Sequence, residues 1–177
     1  RNFTNLFIAP LKVSEIITAL TITALLRTLI GIIPAILLAT PFFGVSVFNL
    51  GPSLTLLFLS LYLFGITLGL LVTAGLLRYG PAFENIAWSS LFLLAPLGCV
   101  YYPLSILPDW LQILAKALPL VYIFEEVRSI LINNVVNYEN IMSALKLNLI
   151  YLASAVFIFY LAFYGARKKG TLINVGE

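Results

Sequence analysis

Long apolar runs alternate with short polar breaks along this chain, and four of the runs reach membrane-spanning length, over about residues 16–40, 54–77, 85–102 and 147–164. The third is the shortest. About 20 helical residues cross the ~30 Å of a bilayer's hydrocarbon core. Helices are predicted because a lipid-facing strand leaves backbone N–H and C=O groups unpaired, and no period-2 alternation of barrel type appears. The fourth run is expected to have a helical lead-in from Asn140.

The connection at 103–139 follows a different pattern. Pro103, Pro108 and Pro119 cut it into pieces too short to span. After Pro108, the spacing of Asp109, Gln112 and Lys116 puts polar groups on one side of a short amphipathic helix, with Trp110, Leu111, Leu114 and Leu118 on the other. A second helix from Val121 to Ile132 carries Tyr122, Glu125, Glu126 and Arg128 on a polar face and Phe124, Val127 and Leu131 on an apolar one. Glu125 and Arg128, three apart, are placed to pair. Asn133, Asn134 and Asn137 mark a turn before the last span. Apolar but broken backbone survives in a membrane protein only where protein shields it, at the interface, or along a wet cavity.

Composition agrees with the pattern. Hydrophobic residues make up 62% of the 177 residues and charged residues 10%, with mean hydropathy +1.07; soluble domains are nearer half apolar and a quarter charged. The chain therefore reads as an integral membrane protein, and no polar stretch is long enough to form a soluble domain. It has no His and one Cys, Cys99, which excludes an internal disulfide and a Cys/His zinc site. Cys99, in an apolar run, reads as a packing residue.

Charge sets the expected orientation. Arg1 and Lys12 precede the first span, Arg78 follows the second, and Arg167, Lys168 and Lys169 follow the fourth, whereas 41–52 has no Lys or Arg and 103–140 has only Lys116 and Arg128. The positive-inside rule then puts both ends of the chain in the cytoplasm, with Tyr101, Tyr102 and Trp110 in an outer aromatic belt. The net charge of +3 is absorbed by this topology and gives no support to nucleic-acid binding. The chain opens on Arg1 and its only Met is Met142, so a piece of a longer protein is expected.

Inside the spans, Gly65, Gly69 and Thr73 recur at four-residue spacing, which suits close helix approach: ordinary packing or a dimer seam. Arg27 lies near the middle of the first span, with Thr23, Ala24 and Gly31 on its face. A central Arg costs about 2.5–3.5 kcal/mol on insertion scales, so it should face protein or water. It reads as a pathway or gating residue, as a tie between helices, or as a snorkelling side chain. Glu125, Glu126 and Arg128 either line or cap an exit route or form a paired polar face. Pro34 and Pro96 are expected to kink their spans.

Two motifs resemble the type-2 ATP-binding-cassette (ABC) permeases. Arg1-Asn2-Phe3-Thr4-Asn5-Leu6-Phe7-Ile8-Ala9-Pro10-Leu11, followed by Glu15 and a span, looks like their cytoplasmic segment. Tyr102-Pro103-Leu104-Ser105, Leu107-Pro108-Asp109-Trp110-Leu111, and Leu118-Pro119-Leu120-Val121-Tyr122 with Glu126-Val127-Arg128 look like their external re-entrant region. The family often has Gly-Thr-Leu-Glu where this chain reads Arg-Asn-Phe-Thr-Asn.

The resemblance implies an all-α polytopic helix bundle, one transmembrane domain over 1–177, with an external re-entrant helix pair at 103–139 and a cytoplasmic tail at 165–177. It also implies that the first two of six spans are absent. The implied function is the membrane subunit of a bacterial or archaeal exporter in the inner (plasma) membrane, paired with a second permease in a homodimer or mixed pair, and docked on a separate ABC ATPase subunit. Residues 1–15 would be the coupling segment, with Thr4, Pro10, Lys12 and Glu15 as candidate ATPase contacts. No Gly-x-x-x-x-Gly-Lys-Ser/Thr loop occurs, so ATP would be bound by the partner and this chain would carry no cofactor and no catalysis of its own. An ion-driven transporter or channel is the rival, and it would want carboxylates in the spans, where none is clear. A membrane enzyme lacks the usual acid, base and metal groups.

Overall fold

A computed structural model describes residues 12–44 and 50–169. Among them are six α-helices and one 3-10 turn, with no strand. The helices are α1 (Val13–Phe43), α2 (Ser53–Tyr79), α3 (Phe83–Leu97), α4 (Asp109–Ala115), α5 (Pro119–Asn133) and α6 (Tyr138–Lys169); the 3-10 turn is Leu104–Ile106. Three of the helices, α1, α2 and α6, are long and apolar enough to cross a membrane. The run expected at 85–102 is a helix of 15 residues, about 22 Å at 1.5 Å per residue, short of a full crossing on its own.

That helix ends for a local reason. Pro96 has no N–H to continue the ladder, Gly98 follows it, and Cys99 adopts a left-handed φ of 54°. The N–H groups of Gly98, Cys99 and Val100 still reach back to Leu94, Pro96 and Ala95. Pro34 and Pro41, by contrast, lie inside α1 without ending it, as spans tolerate when neighbours re-satisfy the freed carbonyl.

The core is the seam between α2 and α6. Leu57, Ser60, Phe64, Thr67, Leu70, Ala74 and Leu77 are buried along α2, every third or fourth residue and therefore one stripe. The N-terminal half of that stripe meets Ile141 and Ala144 of α6, and the C-terminal half meets Ala155, Phe159, Phe163 and Ala166. The two helices thus run parallel. α3 returns beside α2, where Gly75 admits the Phe83 ring: a Cβ at Gly75 would collide with it. The corner between them is Gly80, at φ 76°.

α1 runs antiparallel along the edge of this pair. Ile16 joins the core with Leu70 and Leu77, whereas residues between Leu29 and Ile36 face Leu54 and Phe58. The most apolar window of α1 is 0% buried. Its main polar tie is the Tyr62 hydroxyl, which donates to the Thr21 carbonyl.

This arrangement collects net positive charge at one end of the bundle. Parallel α2 and α6 end together, bringing Arg78 near the level of Arg167 and Lys168, and antiparallel α1 begins there with Lys12 before it. The proline-cut segment lies at the opposite end, where α5 packs Ile123 and Ile130 against Leu57 and Ile141.

Candidate functional site

The proline-cut segment is built by its prolines. Pro103, in extended backbone (ψ 154°), opens the 3-10 turn, and Pro108 (ψ 146°) precedes α4, whose first residue is Asp109. A carboxylate there meets the positive end of the helix. Pro119 starts α5 at a position where its missing N–H costs nothing. Cys99, Leu107, Ala115 and Val121 close into a small core under these pieces. The Gln112 amide adds a bond to the Leu107 carbonyl (2.8 Å).

Glu125 and Arg128 tie the end of α3 and the 3-10 turn to α5, with Leu104 21 residues from Glu125 and Cys99 29 residues from Arg128. Arg128 Nη2 donates to Glu125 Oε1 at 2.9 Å and to the Cys99 carbonyl at 2.8 Å. The same Glu125 oxygen accepts the Leu104 N–H at 2.7 Å. One ion pair therefore clamps the end of α3, the 3-10 turn and α5 together. The side chains are 21% (Arg128) and 31% (Glu125) exposed, so solvent screens part of the Coulomb attraction and the hydrogen bonds to backbone supply most of the specificity. Arg128 Nε is buried without a partner.

Glu126 faces elsewhere, as adjacent helical positions separated by about 100° must. It is fully buried and accepts the Asn137 N–H (2.7 Å) and the Asn140 Nδ2 (3.2 Å). Asn137 Oδ1 in turn accepts the Glu139 N–H (3.0 Å). Glu126 thus secures the turn into α6, helped by Asn134 in the left-handed region. The three candidates of this segment separate into a paired clamp, Glu125 with Arg128, and a turn anchor, Glu126.

Arg27 lies on the exposed side of α1 beside a groove of about 550 Å³ shared with Thr23, Gly65, Gly69 and Thr73. Among the described residues no hydrogen bond or ion pair holds its guanidinium. Gly65 and Gly69 are open to the groove, since a Cβ on either would meet nothing within 4 Å, and the Thr73 hydroxyl turns back to the Gly69 carbonyl (2.7 Å). The small-residue stripe therefore forms the floor of a groove, and among the described residues the two glycines make no close backbone approach.

Of the coupling candidates, Thr4 and Pro10 lie outside the described residues. Glu15 Oε2 accepts the Lys12 N–H at 2.8 Å, the reach-back half of a capping box on α1.

Sequence reasoning missed the polar node in the middle of the core. Asn148 is fully buried, and its Nδ2 donates to the Ser60 carbonyl (2.9 Å) and hydroxyl (2.7 Å). Its Oδ1 is buried without a partner. The available signal was an Asn inside an apolar run, a residue type costly enough in lipid to imply a facing helix.

Three apolar helices of spanning length, a proline-cut segment clamped at one end and basic residues gathered at the other define a polytopic membrane protein. The family model of the ABC-2 type transporter matches residues 1–132, and the chain belongs to that family. It is a membrane permease component of an ABC transporter. No curated protein matches the chain, and no solved structure does.

Proposed function

We propose that this chain is the permease half of an ATP-driven exporter, paired with a second permease and docked on a separate ATPase subunit at its basic end. That end faces the cytoplasm, and the proline-cut segment faces outward. The carrying observation is the polarity of the bundle: Lys12, Arg78, Arg167 and Lys168 lie toward one end, and the Glu125–Arg128 clamp closes the other. Basic residues at one end of the spans favour the cytoplasmic side.

In this reading, closure of the ATPase pair pushes on residues 4–15, next to the start of α1, and α1 moves most readily because little of it is packed. Lys12 and Glu15 lie at that junction, with Thr4 and Pro10 before them. Arg27, in the α1–α2 groove, meets the pathway, and the external clamp sets the outward exit. The ion-driven alternative gains no specific support, because the acidic residues of α1, α2 and α6 are Glu15 and Glu139 alone, both in first turns.

The test is co-expression of the full-length protein with candidate ATPases and ATP-dependent transport of a cargo panel in vesicles. Co-purification with an ATPase and ATP-dependent movement are expected. Retained transport after deletion of residues 4–15 removes the coupling assignment, and transport that follows membrane potential and ignores ATP overturns the reading.

A further inference from the structure

At the basic end, α2, the start of α3 and α6 line a trough of about 680 Å³, within the ~300–1,000 Å³ range of small-ligand clefts. Its walls are apolar, with Leu71 on α2 and Ile158 and Leu161 on α6, and its rim carries Arg78 and Tyr79. Gly165 opens the α6 wall, since a Cβ there would meet nothing within 4 Å. Phe83, seated on Gly75 and stacked on Tyr79 with ring centroids 5.9 Å apart, closes the back. The Arg78 guanidinium stands 5.5 Å from the Tyr79 ring centroid. Lys168 follows Gly165 by three residues and Leu161 by seven, which puts it on the same stripe of α6, one turn toward the helix end. An apolar slot with Arg78 and Tyr79 at its rim, and Lys168 one turn beyond its α6 wall, matches one class of molecule in shape and charge.

The geometry points to a binding site for an anionic phospholipid of the leaflet at the basic end. One acyl chain lies along Leu71, Ile158 and Leu161, and the phosphate rests between Arg78 and Lys168. The site differs from annular contact in two respects: the cations come from separate helices, and Gly165 leaves its part of the α6 wall without a side chain. Basic pockets between spans are suited to anionic headgroups, and each basic group near the surface is worth about fivefold in binding.

The experiment is native mass spectrometry of the full-length protein released from nanodiscs of phosphatidylglycerol and phosphatidylcholine in equal parts. The wild type is expected to retain phosphatidylglycerol roughly 30-fold over phosphatidylcholine, from two basic groups. Arg78→Gln with Lys168→Gln abolishes the preference. Gly165→Leu also abolishes it while leaving every charge in place, and Lys116→Gln at the far end leaves it intact. Positions 78, 165 and 168 are all exposed, so the variants keep their core.

Equal retention of both lipids by the wild type overturns the site. Undiminished phosphatidylglycerol in Gly165→Leu also overturns it, by reducing the effect to diffuse attraction. If the double variant keeps its lipid but loses a co-purifying ATPase, the cations belong to protein docking instead. The readout uses no ATP and no cargo, so failure of the exporter reading leaves it untouched.

Discussion

Replacing Arg128 with Gln should open the proline-cut segment, and the chain carries its own probe for that opening. Cys99 is the only cysteine and is 0% exposed, so its thiol meets a maleimide only when the clamp releases. The substitution removes the 2.8 Å bond to the Cys99 carbonyl and the 2.9 Å pair with Glu125. A hydrogen bond to a charged group is worth about 1.5–3 kcal/mol net. The part-exposed ion pair adds little beyond that, about 0.2–1 kcal/mol. A Gln amide recovers some of the loss, leaving about 2 kcal/mol, or roughly a 30-fold rise in the open population. When reclosing outpaces alkylation, the labelling rate follows that population. The assay is time-resolved N-ethylmaleimide labelling of the full-length protein in nanodiscs, read by mass at Cys99. Glu125→Gln should accelerate labelling less, because its amide oxygen still accepts the Leu104 N–H. The double variant should fall short of the product of the two singles. Labelling of Arg128→Gln within twofold of wild type, or strictly multiplicative effects, refutes the clamp.

Glu126→Leu strips both acceptors from the α5–α6 turn and should cost about 2–4 kcal/mol in detergent unfolding, with Glu126→Gln milder because one acceptor remains. Asn148→Leu should cost only about 0.5–1.5 kcal/mol in the same measurement, since interhelical hydrogen bonds in membranes average ~0.6 kcal/mol and the unpartnered Oδ1 is removed with them. Gly75→Leu, driven into the Phe83 ring, should destabilise by about 1–3 kcal/mol, whereas Gly69→Ala, which meets open space, should stay within about 0.5 kcal/mol. Equal effects at the two glycines would show that the α2–α3 corner is misassigned.

Much of the site was legible from spacing. Glu125 and Arg128, three apart on a helix, were placed to pair, and they do. The divergence of Glu125 from Glu126 also follows from helical geometry. Their destinations were not legible: the Cys99 carbonyl is 29 residues from Arg128, and nothing local in sequence encodes which backbone group a long side chain will meet. Asn148 was overlooked because its partner Ser60 lies 88 residues away, and a single Asn near the start of a span resembles an interfacial residue. Gly65 and Gly69 show the converse, a pattern suited to close packing that the chain leaves open.

The sequence by itself determined that this chain lives in a bilayer, that its elements are helices, and that prolines break the stretch after the third apolar run. Those are one-dimensional consequences of transfer free energy and of the missing proline N–H, and no partner segment is needed to fix them. Only the tertiary structure decided that α2 and α6 run parallel as the core, that α1 remains at the edge, and that α3 stops short at Leu97. Lipid is as apolar as a leucine side chain, so hydropathy cannot tell a lipid-facing stripe from a helix-facing one. Steric fit and the pairing of a few polar groups settle that choice, and both exist only once the helices are side by side.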